Sequence, residues 1–321
     1  DEPRVGDAAL LKRMGANTLR IYHHGKALTP ARLLKLHREQ GMYYIMGDFA
    51  GMYAIGSGAT WAQGTDYTNP VHVKNMPDSI RRMVLVHRDQ PYILCWMLGN
   101  ESNYPVANNA AKVPAAFYAF INRAARMIRE LDPLKRPVAY SNGDLGLLPY
   151  FAKHCKDVDI LAANVYREAN GFGLSFFEAV KRLVDKPILI SEYGVGALSS
   201  WHTPQQAEAY QALYHRLHWQ DMVYHMAGRP GVGNALGGVV FEFLDEWWKF
   251  EGDDKERVKD RAKQALVQDT RSSFPLTGLD GLSYEEWFGL FSQGKGTDSP
   301  FLRVPRKAYH VYADLWNRRY D

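Results

Sequence analysis

The sequence predicts an α/β fold wound into a (β/α)8 TIM barrel, and three observations carry that expectation. Short, strongly apolar segments alternate with amphipathic helical ones along the whole chain of 321 residues. Such alternation requires right-handed crossovers and a parallel sheet. The segment Ile93 to Leu98 is apolar throughout, as a strand covered on both faces is, and it stops on a polar tip, Gly99-Asn100-Glu101. The number of units at this length favours a closed barrel over an open sheet, and barrels of this kind reach such lengths as one domain. Residues 1–321 therefore read as a single domain.

In order, Ala9, Leu10, Leu11 and Met14 have helical spacing over Asp7 to Met14, and Gly15-Ala16-Asn17 breaks into a strand at Thr18 to Tyr22. Thr29-Pro30 opens a helix that Gly41 ends, and the strand Met42 to Met46 finishes on Gly47-Asp48-Phe49. A helix is expected over Ser79 to His87, then the strand at Ile93 and a helix from Ala115 to Leu131. A strand follows at Pro137 to Tyr140, a helix-like stretch runs up to Cys155, and another strand spans Val158 to Asn164. Next come a helix at Phe176 to Val184, a strand at Pro187 to Ser191, a helix from Pro204 to about Met222 and a strand at Gly237 to Phe243. After an excursion at about 249–300, a helix from Arg306 to Trp316 closes the chain.

Seven strands and eight helices fall short of a full barrel by one strand, and the chain opens on a helix. The expectation is a first strand upstream of residue 1, since its loss leaves two exposed strand edges; an irregular substitute at Glu2 to Gly6 is the other reading. The loop at about 51–75 carries several glycines with Tyr53, Trp61 and Tyr67, and reads as an aromatic-rich lid over a cleft. Trp201 sits in a second loop, and the charged run near Lys255 to Lys263 reads as a solvated helix face.

Composition excludes several classes. Hydrophobic residues at 46% and charged residues at 23% are those of a globular protein, and no apolar run reaches membrane-spanning length. The net charge of +4 is small and its Lys and Arg residues are dispersed, which does not indicate nucleic-acid binding. Cys95 and Cys155 read as unpaired buried thiols. Asp1-Glu2-Pro3-Arg4 is not a signal peptide, but a mature secreted protein looks the same, so the compartment stays open. An aromatic content of 13%, with 8 Trp and 19 Tyr partly clustered in loops, suits apolar platforms for sugars as well as core packing.

In a barrel, polar residues at strand ends converge on one mouth. Here they are Arg20, His23, Asp48, Asn100, Glu101, Asn142, Asn164, Tyr166, Glu192, Glu242 and Asp245. Glu101 and Glu192 each terminate a strongly apolar strand, and glycoside hydrolysis needs such a carboxylate pair, one as proton donor and one as nucleophile. A loop glutamate capping the next helix is the bland reading of Glu101. Asp48 either contacts substrate or braces its strand end. His23-His24 lacks a second ligand cluster at metal-site spacing, so a polar site residue or a structural histidine is expected, not a metal ligand.

Gly99-Asn100-Glu101, Ser191-Glu192-Tyr193-Gly194, Leu11 to Arg20, His87 to Ile93 and Phe241 to Trp247 together resemble the catalytic (β/α)8 barrel of glycoside hydrolase family 2, the family of β-galactosidases, β-glucuronidases and β-mannosidases, within the large retaining glycosidase clan. The resemblance spans nearly the whole chain. It implies Glu101 as general acid/base, Glu192 as nucleophile, and Asn100 on the sugar 2-hydroxyl. It further implies Arg20 and Tyr166 as partners of the nucleophile, with Trp247 or Trp248 as the floor under the reacting sugar. Asp48, His23, Asn164 and Trp61 complete the candidate substrate-binding set. The activity implied is a retaining β-glycoside hydrolase acting by double displacement on a β-linked oligo- or polysaccharide, with no cofactor. A transglycosylase using the same covalent intermediate is one alternative, and an inactive carbohydrate-binding barrel is another. Family members carry β-sandwich domains before the barrel, so such domains or a neighbouring subunit are expected to complete one wall of the cleft. The family also favours a secreted or periplasmic location.

Overall fold

The computed structural model describes residues 6–167, 169–246, 270–271, 278–294 and 301–318. Its centre is a seven-stranded parallel sheet whose strands lie in chain order, β1 to β7. These are β1 (Thr18–Ile21), β2 (Tyr43–Asp48), β3 (Ile93–Leu98), β4 (Val138–Gly143), β5 (Ile160–Asn164), β6 (Ile188–Tyr193) and β7 (Ala235–Val240). Around them lie α1 (Asp7–Met14), α2 (Pro30–Gln40), α3 (Pro70–His87), α4 (Pro114–Leu131), α5 (Leu148–His154), α6 (Phe176–Val184), α7 (Pro204–Tyr224) and α8 (Lys307–Trp316). The fold is a (β/α)8-type barrel lacking one strand, and β1 and β7 are its unpaired edges among the described residues.

The strands have two buried faces, which explains their apolar runs. On β3, Cys95 and Met97 point inward to join Ile45, Ala139 and Ala162 in a small central core. Trp96 and Leu98 point outward into the larger layer between sheet and helices, where the Trp96 indole donates to Asp132 Oδ2 at 2.8 Å. Leu94 departs from expectation, being 48% exposed. Helix α4 buries Phe117, Phe120, Ile121, Ala124 and Ile128, the stripe that 3.6-residue periodicity produces. Both cysteines are free and buried, as expected.

Helix α3 begins at Pro70, nine residues before the expected start. Asn69 caps it, accepting from Val71 N at 2.9 Å, and Pro70 occupies the first turn, where a missing N–H costs nothing. The loop after β2 therefore ends at Asn69. Pro77 inside the same helix masked its continuity in the sequence.

No helix among the described residues is long and apolar enough to cross a membrane. Most of the excursion at 249–300, including the charged run near Lys255 to Lys263, lies outside the described residues.

Candidate active site

Strand direction gathers the polar ends of β1 to β6 at one mouth. On β1, Arg20 points into the barrel, and Tyr22, two residues on, follows it, as period-two alternation requires. The Arg20 guanidinium, 2% exposed, is the hub. Its Nη1 donates to Glu192 Oε1 at 3.0 Å, the Ser191 carbonyl at 2.9 Å and Asn164 Oδ1 at 3.1 Å. Its Nη2 donates to Asn100 Oδ1 at 2.8 Å and Ser141 Oγ at 3.1 Å. One cation on β1 thereby fixes residues from β4, β5, β6 and the β3 tip.

Glu192, 6% exposed, receives two further donors. Tyr22 Oη donates to Oε1 and Tyr166 Oη to Oε2, each at 2.7 Å. Burial first, and then the charge of Glu192, push both phenols well above the ordinary tyrosine range, so they remain protonated donors. Arg20 also stacks over the Tyr22 ring, 4.1 Å from its centroid.

Glu101 stands in a different environment. Burial, followed by the Glu192 charge, raises its carboxyl to about 8, against weaker lowering by the Asn164 amide and Arg20. Its backbone lies in the left-handed region, φ 52°, two residues after Gly99 at φ 69°. A non-glycine residue held there stores strain of about 1–3 kcal/mol, which surrounding structure must offset. The Glu101 amide is anchored on the Ser141 carbonyl at 3.1 Å. The two carboxyls thus stand in contrasting surroundings, Glu101 held toward its protonated form by burial and Glu192 bound by a cation and two phenols.

Asn100 bridges the two halves. Its Oδ1 accepts from Arg20 and from Asn164 Nδ2 at 3.0 Å, and its Nδ2 donates to Tyr53 Oη at 3.3 Å. Asn164, in turn, accepts from Ser141 and Ser191. Asp48 lies in a bracing network: it accepts from Ala50 N at 2.8 Å and Ser79 Oγ at 2.7 Å, and pairs with His24 Nε2 at 3.0 Å. Burial works against its ionisation, but these hydrogen bonds and His23 hold its carboxyl below the usual range. His23, His24 and Asp48 bring one ligand atom each within 4.8 Å of one another, so the third member that the sequence did not reveal is present. However, His24 Nε2 already meets Asp48 and Ser79, and His23 Nδ1 accepts from Phe49 N at 3.3 Å, so these atoms already serve as a hydrogen-bonded brace.

Trp61 is 65% exposed and aligned with Tyr53. Trp247 and Trp248 lie outside the described residues. Sequence reasoning missed Tyr22, Ser141 and Ser191 as site residues and placed Tyr53 only in the lid loop; the Arg20-x-Tyr22 alternation was the available signal for the first.

A parallel barrel whose mouth holds an Asn-Glu strand tip together with a second glutamate bound by arginine and tyrosine has the make-up of the glycoside hydrolase class of barrels. Comparison with known proteins narrows this: the profile described as "Glycosyl hydrolases family 2, TIM barrel domain" matches residues 2–260, and the chain belongs to that family. Among curated relatives, a β-glucuronidase of Streptococcus agalactiae serotype V is 25% identical over 264 residues, covering 74% of this chain and 40% of the relative. A β-galactosidase of Aeromonas hydrophila is 24% identical, covering 88% of this chain and 25% of the relative. The 1,3-beta-glucanosyltransferase gel2 of Aspergillus fumigatus is 24% identical, covering 75% and 48%. The solved β-D-glucuronidase of Dictyoglomus thermophilum superposes with a TM-score of 0.61 at 17% identity, covering 98% of this chain and 46% of that one, a likeness of fold. The chain thus spans less than half the length of these proteins.

Proposed function

We propose that this barrel is a retaining β-glycoside hydrolase acting by double displacement on a β-linked carbohydrate. Glu192 attacks the anomeric carbon while Glu101 delivers its proton to the leaving oxygen. Glu101, now a carboxylate, then takes a proton from the water that releases the sugar from Glu192. Arg20, Tyr22 and Tyr166 orient the nucleophile, and Asn100 is placed for the 2-hydroxyl. The observation that carries the reading is the contrast between the two carboxyls: Glu101 raised to about 8, Glu192 bound by one cation and two phenols. The relatives' names support a β-linked glycone, and their greater length supports further domains or a neighbouring subunit at the cleft.

The test is mechanism-based trapping with a panel of 2-fluoro glycosides. Covalent labelling of Glu192, located by peptide mass, is expected, and the sugar that labels reports the glycone preference. Labelling of another residue, or none with any sugar in wild-type protein that cleaves aryl glycosides, overturns the assignment.

The likeness to a glucanosyltransferase favours one second reading, transfer of the glycosyl group from Glu192 to a sugar acceptor. Product analysis with and without acceptor separates the two.

A further inference from the structure

The loop after β2 holds three aromatic rings in a row leading from the reacting centre to solvent. Phe49 lies parallel to His23, with centroids 5.2 Å apart and planes at 4°. Tyr53 meets Phe49 edge-on at 5.1 Å. Trp61 then aligns with Tyr53 across 6.3 Å, their planes at 8°. The middle ring is tied to the site, because Tyr53 Oη accepts from Asn100 Nδ2. The outer end is the open Trp61 indole.

Such exposure on a surface loop would ordinarily be incidental. Here the loop is built to hold it. Ala50, Tyr53 and Ala54 all lie in the left-handed region, at φ 52°, 57° and 57°. Three strained non-glycine residues within five positions persist only where surrounding contacts over-determine the backbone. Those contacts are present: Thr65 Oγ1 donates to the Gly51 carbonyl at 2.6 Å, Tyr67 Oη to the Ala50 carbonyl at 3.0 Å, and Asn75 Nδ2 to the Ser57 carbonyl at 2.9 Å. Thr65 N also bonds the Ala107 carbonyl, fastening the loop to the segment after Glu101.

We infer that Tyr53 and Trp61 form a fixed stacking platform for sugar units of the substrate beyond the one attacked at Glu192, so that the substrate class is a β-linked oligosaccharide chain. The apolar faces of pyranose rings lie flat on aromatic faces, and two near-parallel rings with centroids 6.3 Å apart offer such faces in one orientation. The loop's buried anchoring makes the platform pre-organised, which lowers the ordering cost of binding. This inference rests on the glycosidase reading for the location of the attacked unit, and its test separates the two.

Two measurements on β-linked mono-, tri- and tetrasaccharides decide it. In a Glu192→Gln background, which prevents turnover, calorimetric affinity for the tri- and tetrasaccharides relative to the monosaccharide falls at least tenfold on adding Trp61→Ala. Trp61→Phe restores most of it. In the otherwise wild-type chain, Trp61→Ala lowers the ratio of kcat/KM on tetrasaccharide to kcat/KM on an aryl monoglycoside to the same degree. An unchanged ratio, or no gain in affinity with chain length in the Glu192→Gln protein, overturns the platform while leaving the glycosidase reading standing. If wild type cleaves none of these compounds, the glycosidase reading fails, and the binding ratio still decides the platform. The melting temperature of Trp61→Ala should match its parent, since an exposed indole contributes little to the fold.

Discussion

The Glu101 carboxyl is a group whose charged form is disfavoured by folding, and two outcomes follow. As an acid it works only while protonated, so kcat/KM should fall on the alkaline side as pH rises through about 8. Glu101→Gln should reduce kcat/KM by roughly 10²–10⁴ on poor leaving groups and far less on activated aryl glycosides. Stability carries the same signature. With the folded value raised to about 8 from the ordinary glutamate value of about 4.5, the protonated carboxyl favours the fold below about 4.5, and that stability is lost progressively up to about 8. Melting curves of Glu101→Gln and wild type should therefore diverge in favour of the variant between pH 5 and 8 and stay parallel above; a constant difference would sink the account. Tyr22→Phe removes a 2.7 Å donor to a buried carboxylate, a loss of about 1.5–3 kcal/mol, or roughly tenfold to a hundredfold in the rate of labelling by a 2-fluoro glycoside. Equal labelling rates in Tyr22→Phe and wild type would show the contact to be idle. Glu101, Glu192, Arg20 and Asn100 were legible in sequence because each closes an apolar strand or a recognisable tip. Tyr22 was not, because a tyrosine closing an apolar run reads as packing, and only its two-residue spacing from the inward Arg20 marks it for the site.

Elements place these groups through close backbone approaches. Gly47 on β2 lies against β1: a Cβ there would sit 2.3 Å from the Ile21 carbonyl oxygen and 2.5 Å from that of Tyr22. Gly47→Ala must push β1 aside, and Arg20 and Tyr22 with it, so both stability and kcat/KM should drop, the former by about the 1–3 kcal/mol of an overpacked core, read as a lowered melting temperature. Gly25→Ala, where a Cβ meets nothing within 4 Å, is the control and should be near neutral. A Gly47→Ala protein as stable and active as Gly25→Ala would mean that β1 is free to shift without cost. Strand identities were readable from apolar runs bounded by turns, and β4 and β5 differ from expectation only at their ends. The start of α3 was not readable, because Pro77 looked like a boundary while the true one was the Asn69-Pro70 cap, a local signal overshadowed by a glycine-rich stretch.

At the scale of the molecule, the described residues leave an inner ring of seven strands open and an outer ring of helices closed. Helices α1 and α8 meet: Asn317 Nδ2 donates to the Arg13 carbonyl at 3.0 Å, Arg303 pairs with Asp7 at 2.8 Å, and a Cβ on Gly15 would lie 2.8 Å from that of Trp316. Asp245 and Arg306, both buried, bind through both carboxylate oxygens and tie α8 to the segment beyond β7. Between β1 and β7, by contrast, runs a groove of about 450 Å³ lined by Leu11, Met14, Leu19, Val240, Trp219 and Trp316. The count of seven apolar strand segments announced this gap; the helix contact that spans it depends on residues some 300 positions apart and left no local trace. The groove makes a kinetic prediction. Backbone amides of 18–21 and 235–240 that have no partner strand should exchange with solvent much faster than those of β4, whose two neighbours protect it. If the groove is the seat of a strand, a longer form of the chain that lays one there should slow exchange at both edges to the level of β4 and raise the melting temperature. Equal protection at β1, β4 and β7 in the present chain would show that the α1–α8 contact alone seals the barrel.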